Sequence, residues 1–213
     1  MKKLSLILIA ILILGFNIKA QQTIQDDEKR GHHKGDGLFF SASLGASYLS
    51  INDDITGSTS DNMKMTGTGI AIDIKLGAVI KENFILHGDI ISTTSFSLKI
   101  LVDGEPLGTI SGDNSVSIIM FGGGGTYYFY PGVYFSGTLG MGGFSITAGE
   151  NTTNTQKGLG INLKLGKEWW VSKNWDLGGS IGFNYTNVNN KVGDITEKLS
   201  GVSIGLMFTA TFN

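Results

Sequence analysis

The sequence predicts an all-β protein, an eight-stranded antiparallel up-and-down β-barrel of the transmembrane kind. Three observations support this prediction. Apolar residues alternate with small or polar residues over most of residues 37–213, and charged residues make up only 16% of the chain, against roughly 25% in average soluble domains. Long and short connections follow each other in strict turn. A period of two places the two kinds of side chain on opposite faces of a strand.

The first 36 residues lack this alternation. Residues 1–20 combine a positive start, Lys2-Lys3, with an apolar run and a small residue at Ala20. This is the pattern of a secretory signal peptide cleaved near Ala20, and the apolar run is shorter than the roughly 20 residues of a membrane-spanning helix. An uncleaved anchor is the alternative. Residues 21–36 are polar and unpatterned, so we expect a flexible periplasmic tail there.

Eight segments of the remaining chain are predicted strands. The alternation is clearest in the last one, whereas residues 115–130 show none, and a strand is placed there because the number of hairpins requires one. The predicted strands fall near 38–50, 70–80, 84–100, 115–130, 133–147, 159–166, 175–186 and 199–213.

The connections between these strands are of two kinds. Short turns are predicted at 81–83, 131–132 and 172–174, and longer loops rich in Asp, Asn, Gly, Ser and Thr at 51–62, 101–114, 148–157 and 187–198. Tight periplasmic turns alternating with longer outer loops are typical of a transmembrane barrel. An even number of strands also brings both chain ends to the periplasmic side.

The two faces of the strands differ in chemistry. One face carries charges among Gly, Ser and Thr, and we expect it to enclose a structural network of ion pairs and hydrogen bonds, because buried charges need partners. Its charged members are Asp73, Lys75, His87, Asp89, Lys164 and Asp176. The apolar face is expected to meet lipid, as represented by Leu163, Ile181, Ile204, Leu206, Phe208 and Phe212. A soluble lipocalin-like barrel would also alternate and is the competing fold.

Aromatic residues cluster near the predicted strand ends, as Trp and Tyr do at membrane interfaces. The predicted interfacial set at the short turns is Tyr128, Tyr130, Trp169, Trp170 and Trp175, accompanied by Phe39. A second belt, which includes Phe144, is expected near the longer loops.

The signal peptide, the alternating strands and the last segment ending in Phe212-Asn213 together resemble the small outer-membrane β-barrel family, the OmpA/OmpX-like group common in Bacteroidetes-type bacteria. The resemblance covers about residues 37–213 and rests on pattern. It implies residence in the bacterial outer membrane and recognition of the C-terminal strand by the barrel-assembly machinery. Members commonly end in an aromatic residue, whereas here the aromatic is penultimate. A monomer is expected.

The sequence indicates no catalysis, cofactor or metal. Cysteine is absent, and His32-His33 lacks the spacing of metal ligands. His87, Asp89 and Ser92 or Ser95 could suggest a lipid-modifying enzyme, the least favoured alternative. No long basic run follows the N-terminus, which argues against a nucleic-acid partner. A structural role with surface loops is preferred, and a narrow channel for small solutes is the main alternative.

Overall fold

The structure is a computed structural model, which describes residues 37–56, 63–110, 112–129, 132–172, 174–192 and 195–212. The predicted signal peptide, the predicted tail, His32-His33, Tyr130 and Asn213 lie outside these ranges.

Within the described ranges the chain forms ten β-strands. They are β1 (Leu38–Thr56), β2 (Met63–Lys81), β3 (Phe84–Val102), β4 (Glu105–Ile110), β5 (Asn114–Phe129), β6 (Val133–Ala148), β7 (Asn151–Asn154), β8 (Gly158–Trp170), β9 (Trp175–Val192) and β10 (Ile195–Phe212).

Eight of these strands close into a barrel. Each long strand pairs antiparallel with its neighbours in the order β1, β2, β3, β5, β6, β8, β9 and β10, and β10 pairs with β1. Closure leaves no open edge along the main sheet, so the backbone hydrogen bonds are satisfied inside the protein, as hydrocarbon would require. The predicted eight-stranded antiparallel barrel is confirmed. The described part of the chain contains no helix long and apolar enough to cross a membrane.

The two ends of the barrel differ. One, the turn end, carries the short β2–β3, β5–β6 and β8–β9 connections. The other, the hairpin end, carries the connections that the sequence suggested were long loops, and that suggestion is largely wrong. β1, β9 and β10 extend far into the expected loops, while β4 and β7 pair with β3 and β6 as short additional strands.

The turn between β3 and β4 shows why the expected loop at 101–114 is partly strand. Asp103 and Gly104 both have positive φ, +52° and +87°. Two consecutive residues with positive φ are the signature of a type I′ hairpin turn, for which Asp-Gly is a favoured pair. The dipeptide was therefore a usable signal in the sequence.

A β-bulge changes which residues of β3 face inward. The β2–β3 register shifts between Thr68 and Gly69, and Phe96 has no partner in the pairing. Phe96 and Ser97 are consequently both exposed, while Leu98 is buried inside the barrel. Regular alternation over the predicted strand 84–100 would place Leu98 on the same face as Phe96, and this expectation is wrong because an extra residue in one strand reverses the alternation beyond it.

Candidate functional site

Four buried charges occupy the middle of the barrel interior. Asp73, Lys75, Asp89 and Lys164 are each at most 3% exposed. Lys75 and Asp89 are direct cross-strand neighbours on β2 and β3, and their side chains form an ion pair. Lys75 Nζ also lies 3.6 Å from Asp73 Oδ2. A buried ion requires an opposite charge in direct contact with it.

Lys164 links opposite walls of the barrel. It belongs to β8, four strands away from β2 in either direction around the closed sheet, and it forms an ion pair with Asp73 of β2. Its ammonium group also donates a hydrogen bond to Ser43 Oγ of β1 at 3.1 Å. The side chain therefore crosses the lumen at its centre. Thr138 Oγ1 of β6 completes the cluster by donating to Asp89 Oδ2 at 2.6 Å.

The structure places the histidine of the predicted interior set beside hydroxyl groups. His87 is 4% exposed, and its Nε2 lies 3.0 Å from Thr126 Oγ1 and 3.4 Å from Ser136 Oγ. Asp89 instead bonds Lys75 and Thr138 through its Oδ2. Of the interior residues expected from sequence, only Asp176 lies away from this centre, buried at the turn end of β9.

The arrangement along β3 argues against the suggested hydrolytic group. Ser92 and Ser95 lie five and eight residues beyond His87 on an extended strand, which corresponds to roughly 17 and 26 Å. Ser95 Oγ is also occupied, donating to the backbone carbonyl of Thr68 at 2.9 Å. A nucleophile and its base must lie within hydrogen-bond reach of each other, so these residues do not form such a pair.

Aromatic and aliphatic side chains fill the lumen at the turn end. This cluster comprises Phe39, Val79, Ile85, Tyr128 and Tyr134. Above it, Glu168 accepts hydrogen bonds from the Tyr128 hydroxyl at 2.8 Å and from Thr211 Oγ1 at 2.7 Å. The buried carboxylate thus joins β5, β8 and β10 at the turn end of the lumen.

A larger apolar cluster, the hairpin-end plug, fills the opposite end of the lumen. It comprises Leu49, Ile51, Met65, Leu98, Val116, Ile118, Phe144, Val188 and Leu199, with Met63 and Ile100 packed against it. The side chains of the plug fit into the lumen because some of the positions that face them are glycine. At Gly201, an added Cβ would lie 2.6 Å from the Phe144 ring and 2.7 Å from Ile118 Cδ1.

Between the plug and the charged centre lies a small cavity. It measures about 10 Å³ and its lining includes Asp73, Thr93, Asn162, Asn184 and Ser203. This is near the lower limit for holding one water molecule. The interior is therefore packed by side chains at three levels, as expected for eight strands.

The outer surface carries the residues that the sequence assigned to lipid. Leu163, Ile181, Ile204, Leu206 and Phe208 are exposed, and Phe212 is half-buried against the Trp175 ring. On β1 the exposed apolar residues run from Leu38 to Tyr48, which is 11 residues. That length matches a tilted bilayer-spanning strand of roughly 9–11 residues.

The predicted interfacial aromatics divide into two groups. Trp169 and Trp175 are exposed near the turn end, and Trp170 is half-buried. Tyr128, however, is only 4% exposed and lies in the lumen, so its interfacial assignment is wrong. The same holds for Phe39 and Phe144, each 2% exposed. In each case the residue lies on the inward-facing parity of its strand, where it fills an end of the lumen.

Three features of the interior were not predicted from the sequence: the hairpin-end plug, Glu168 and the inward-facing aromatic residues. The plug was hidden because β5 carries apolar residues on both faces, with Val116, Ile118 and Met120 inside and Ile119 and Phe121 outside. Two apolar faces remove the alternation on which the prediction depended. Across residues 37–56, 63–110, 112–129, 132–172, 174–192 and 195–212, no group of three or more His, Cys, Asp or Glu side chains is placed to hold a metal ion.

Comparison with known proteins supports the architecture. No family model and no curated protein sequence matches the chain. Among solved structures, the chain is similar to Neisserial surface protein A, with a TM-score of 0.52 and 15% identity over 83% of this chain and 99% of that one. The chain has the small outer-membrane β-barrel fold.

Two other outer-membrane proteins with this fold have weaker similarity. OprG from Pseudomonas aeruginosa gives a TM-score of 0.48 with 14% identity, covering 86% of this chain and 98% of that chain. AlkL gives 0.45 with 14% identity, covering 86% and 92%. At identities as low as these, function has to be argued from the residues of this chain.

Proposed function

We propose that this protein is an integral, monomeric protein of the bacterial outer membrane with a structural and surface role. Its outer face is apolar over the length of a bilayer span, and a centre of buried charged side chains lies inside the closed sheet. A soluble barrel would have the opposite arrangement, with charges outside and an apolar interior. The shared barrel fold supports the same location.

The packing of the lumen is the observation that carries the structural role. An aromatic layer, the charged centre and the hairpin-end plug follow one another along the barrel axis. A solute would have to displace buried apolar side chains and separate a buried ion pair, and breaking such a pair costs roughly 3–5 kcal/mol. We therefore favour a non-conducting barrel over a narrow channel.

Single-channel recording tests this role. The mature chain, refolded in detergent and added to planar bilayers, should insert without producing unitary conductance steps. Insertion is verified separately by protease protection of the barrel in vesicles. Reproducible steps that scale with the amount of inserted protein would establish the channel alternative instead.

The proposed location has its own test. In fractionated cells the mature protein should follow the outer membrane and resist extraction by high salt and by alkali. Unheated samples should migrate differently from boiled samples in gels, as a folded barrel does. Recovery in a soluble fraction without detergent would contradict the proposal.

We also propose that β10 is the strand recognised during assembly. It pairs with β1 over Phe40–Thr56 and Thr196–Phe212, so it makes the closing contact of the barrel. Removal of Phe212 and the residue after it should leave the chain unassembled in the periplasm, measured by loss of the unheated folded band.

A further inference from the structure

The outward-facing side chains of β8 form an apolar row with a lysine at each end. Lys157 immediately precedes the strand and Lys167 lies near its turn end, and both side chains are exposed. The outward-facing residues between them are all aliphatic and are exposed or half-buried: Leu159, Ile161, Leu163 and Leu165. The surface of the barrel therefore changes along this strand from cation to hydrocarbon and back to cation.

Each of these ammonium groups lies over an aromatic ring on the outer surface. Lys157 Nζ is 4.4 Å from the centre of the ring of Phe121, an exposed residue of β5. The stem of this lysine crosses β6 at Gly143, where an added Cβ would lie 3.8 Å from Lys157 Cγ. Lys167 Nζ is 5.3 Å from the centre of the Trp169 ring on the same strand. Contact with an exposed ring keeps the apolar stem on the barrel and holds the charge at the boundary with water.

The distance between the two lysines matches the thickness of a membrane. Lys157 and Lys167 are ten residues apart, which in an extended chain corresponds to roughly 33 Å. At the strand tilt of about 35–45° found in membrane barrels, this length spans roughly 23–27 Å along the barrel axis. The apolar band of such barrels is about 25 Å tall. The two cations therefore lie at opposite edges of the hydrocarbon, where the headgroups of the lipids begin.

We propose that Lys157 and Lys167 bind phosphate groups of lipid headgroups, one in each leaflet, and thereby fix the depth of the barrel in the membrane. This inference rests on the proposed integral membrane location. An ammonium group donates charge-assisted hydrogen bonds to phosphate oxygens. Phe121 and Trp169 position the two cations for this contact, because each ring holds the stem of its lysine against the outer wall.

Solid-state NMR of the mature chain with ¹⁵N-labelled lysine, in phosphatidylglycerol vesicles and phosphate-free buffer, tests this proposal. Lipid is then the only source of phosphorus. Dephasing by ³¹P should place Nζ of Lys157 and of Lys167 about 4 Å from phosphorus, the separation across a charge-assisted hydrogen bond. Lys157→Met and Lys167→Met identify the two signals by their loss. Lys75 and Lys164, which are buried in the lumen, are the internal controls and should show no dephasing.

Lys64 is the matched control on the outer surface. It is exposed on β2, but Thr66 and Thr68 separate it along the outward-facing row from Ile70, the nearest exposed apolar residue of that strand. It therefore lies further from the hydrocarbon than a lysine that directly adjoins the apolar row. Its Nζ signal, identified by loss in Lys64→Met, should be dephased less than those of Lys157 and Lys167.

Two results would overturn the proposal. The first is an absence of dephasing at Lys157, at Lys167 or at both. The second is equal dephasing at Lys64, which would indicate diffuse attraction of surface charge to the membrane. Heat-modified migration and protease protection verify that the wild-type chain and every variant are folded and inserted. With insertion verified, either result concerns the lysines alone, whereas a chain that does not insert contradicts the proposed location itself.

Discussion

Lys164 shows which properties of a single interior residue can be predicted from the sequence and which cannot. The sequence predicted that Asp73, Lys75, Asp89 and Lys164 share the enclosed face, because the parity of a strand fixes the face of each side chain. It could not predict that Lys164 pairs with Asp73, since the two lie on opposite walls and are brought together only by closure of the sheet. Pairing between residues on opposite walls of a barrel cannot be predicted from the local alternation of the sequence.

Replacement of Lys164 should lower the stability of the barrel, because it leaves the buried carboxylate of Asp73 without its closest cation. Lys164→Met removes the cation in direct contact with Asp73 and leaves Lys75 Nζ at 3.6 Å from Asp73 Oδ2, and we expect the free energy of unfolding in lipid vesicles to fall by about 3–5 kcal/mol. Lys81→Met, at the exposed last residue of β2, should change it by less than about 0.5 kcal/mol. Denaturant titration of both variants measures the difference.

A double variant refines this prediction. If the penalty arises from the uncompensated carboxylate, Asp73→Asn combined with Lys164→Met should recover a substantial part of the lost stability, because neighbouring residues do not act additively. Full additivity of the two substitutions would contradict the direct pairing.

For individual strands, the alternation of the sequence predicted the inward and outward faces correctly where the two faces differ in polarity. The prediction failed where the two faces do not differ. β10 was predicted closely because Ser203 and Thr209 alternate with Ile204 and Phe208. β5 showed no alternation because its inner face carries part of the plug. Beyond the bulge at Phe96 the alternation of β3 reverses, and nothing local in the sequence distinguishes an extra residue from a regular one.

The plug should contribute stability in proportion to its packing. Ile118 is 1% exposed, is the cross-strand partner of Phe144, and packs in the plug where the absence of a side chain at Gly201 leaves room for it. Ile118→Ala should lower the free energy of unfolding by about 2–5 kcal/mol through lost burial and a residual cavity. Leu107→Ala, at a side chain 72% exposed on β4, should change it by less than about 0.5 kcal/mol. Equal effects of the two substitutions would show that the plug is not packed.

For the whole molecule, strand number and alternating connections predicted the closed barrel and its two unlike ends. The lengths of the strands at the hairpin end were not predicted, because segments rich in Asn, Thr and Asp have the composition of loops. β9 in fact extends to Val192 and β10 begins at Ile195. The strands at the hairpin end therefore reach further along the chain than the alternation in the sequence indicated.

The proposed orientation predicts which positions are reachable from outside an intact cell. Leu107→Cys lies in the hairpin-end strand β4, whereas Glu82→Cys lies in the β2–β3 turn at the other end. A membrane-impermeant maleimide should label the first in intact cells and the second only after the cells are permeabilised. Labelling in the reverse order would mean that the barrel is inserted the other way.

The alternation of environments along β10 tests the central claim most directly. The chain has no native cysteine, so single cysteines at successive positions from Val202 to Phe208 can carry a spin label in refolded vesicles. A lipid-facing outer surface predicts that labels at Ile204, Leu206 and Phe208 collide readily with oxygen dissolved in lipid, whereas those at Ser203 and Met207 are shielded from oxygen and from water-soluble nickel. Uniform accessibility, or oxygen contact at Ser203 with shielding at Ile204, would contradict it.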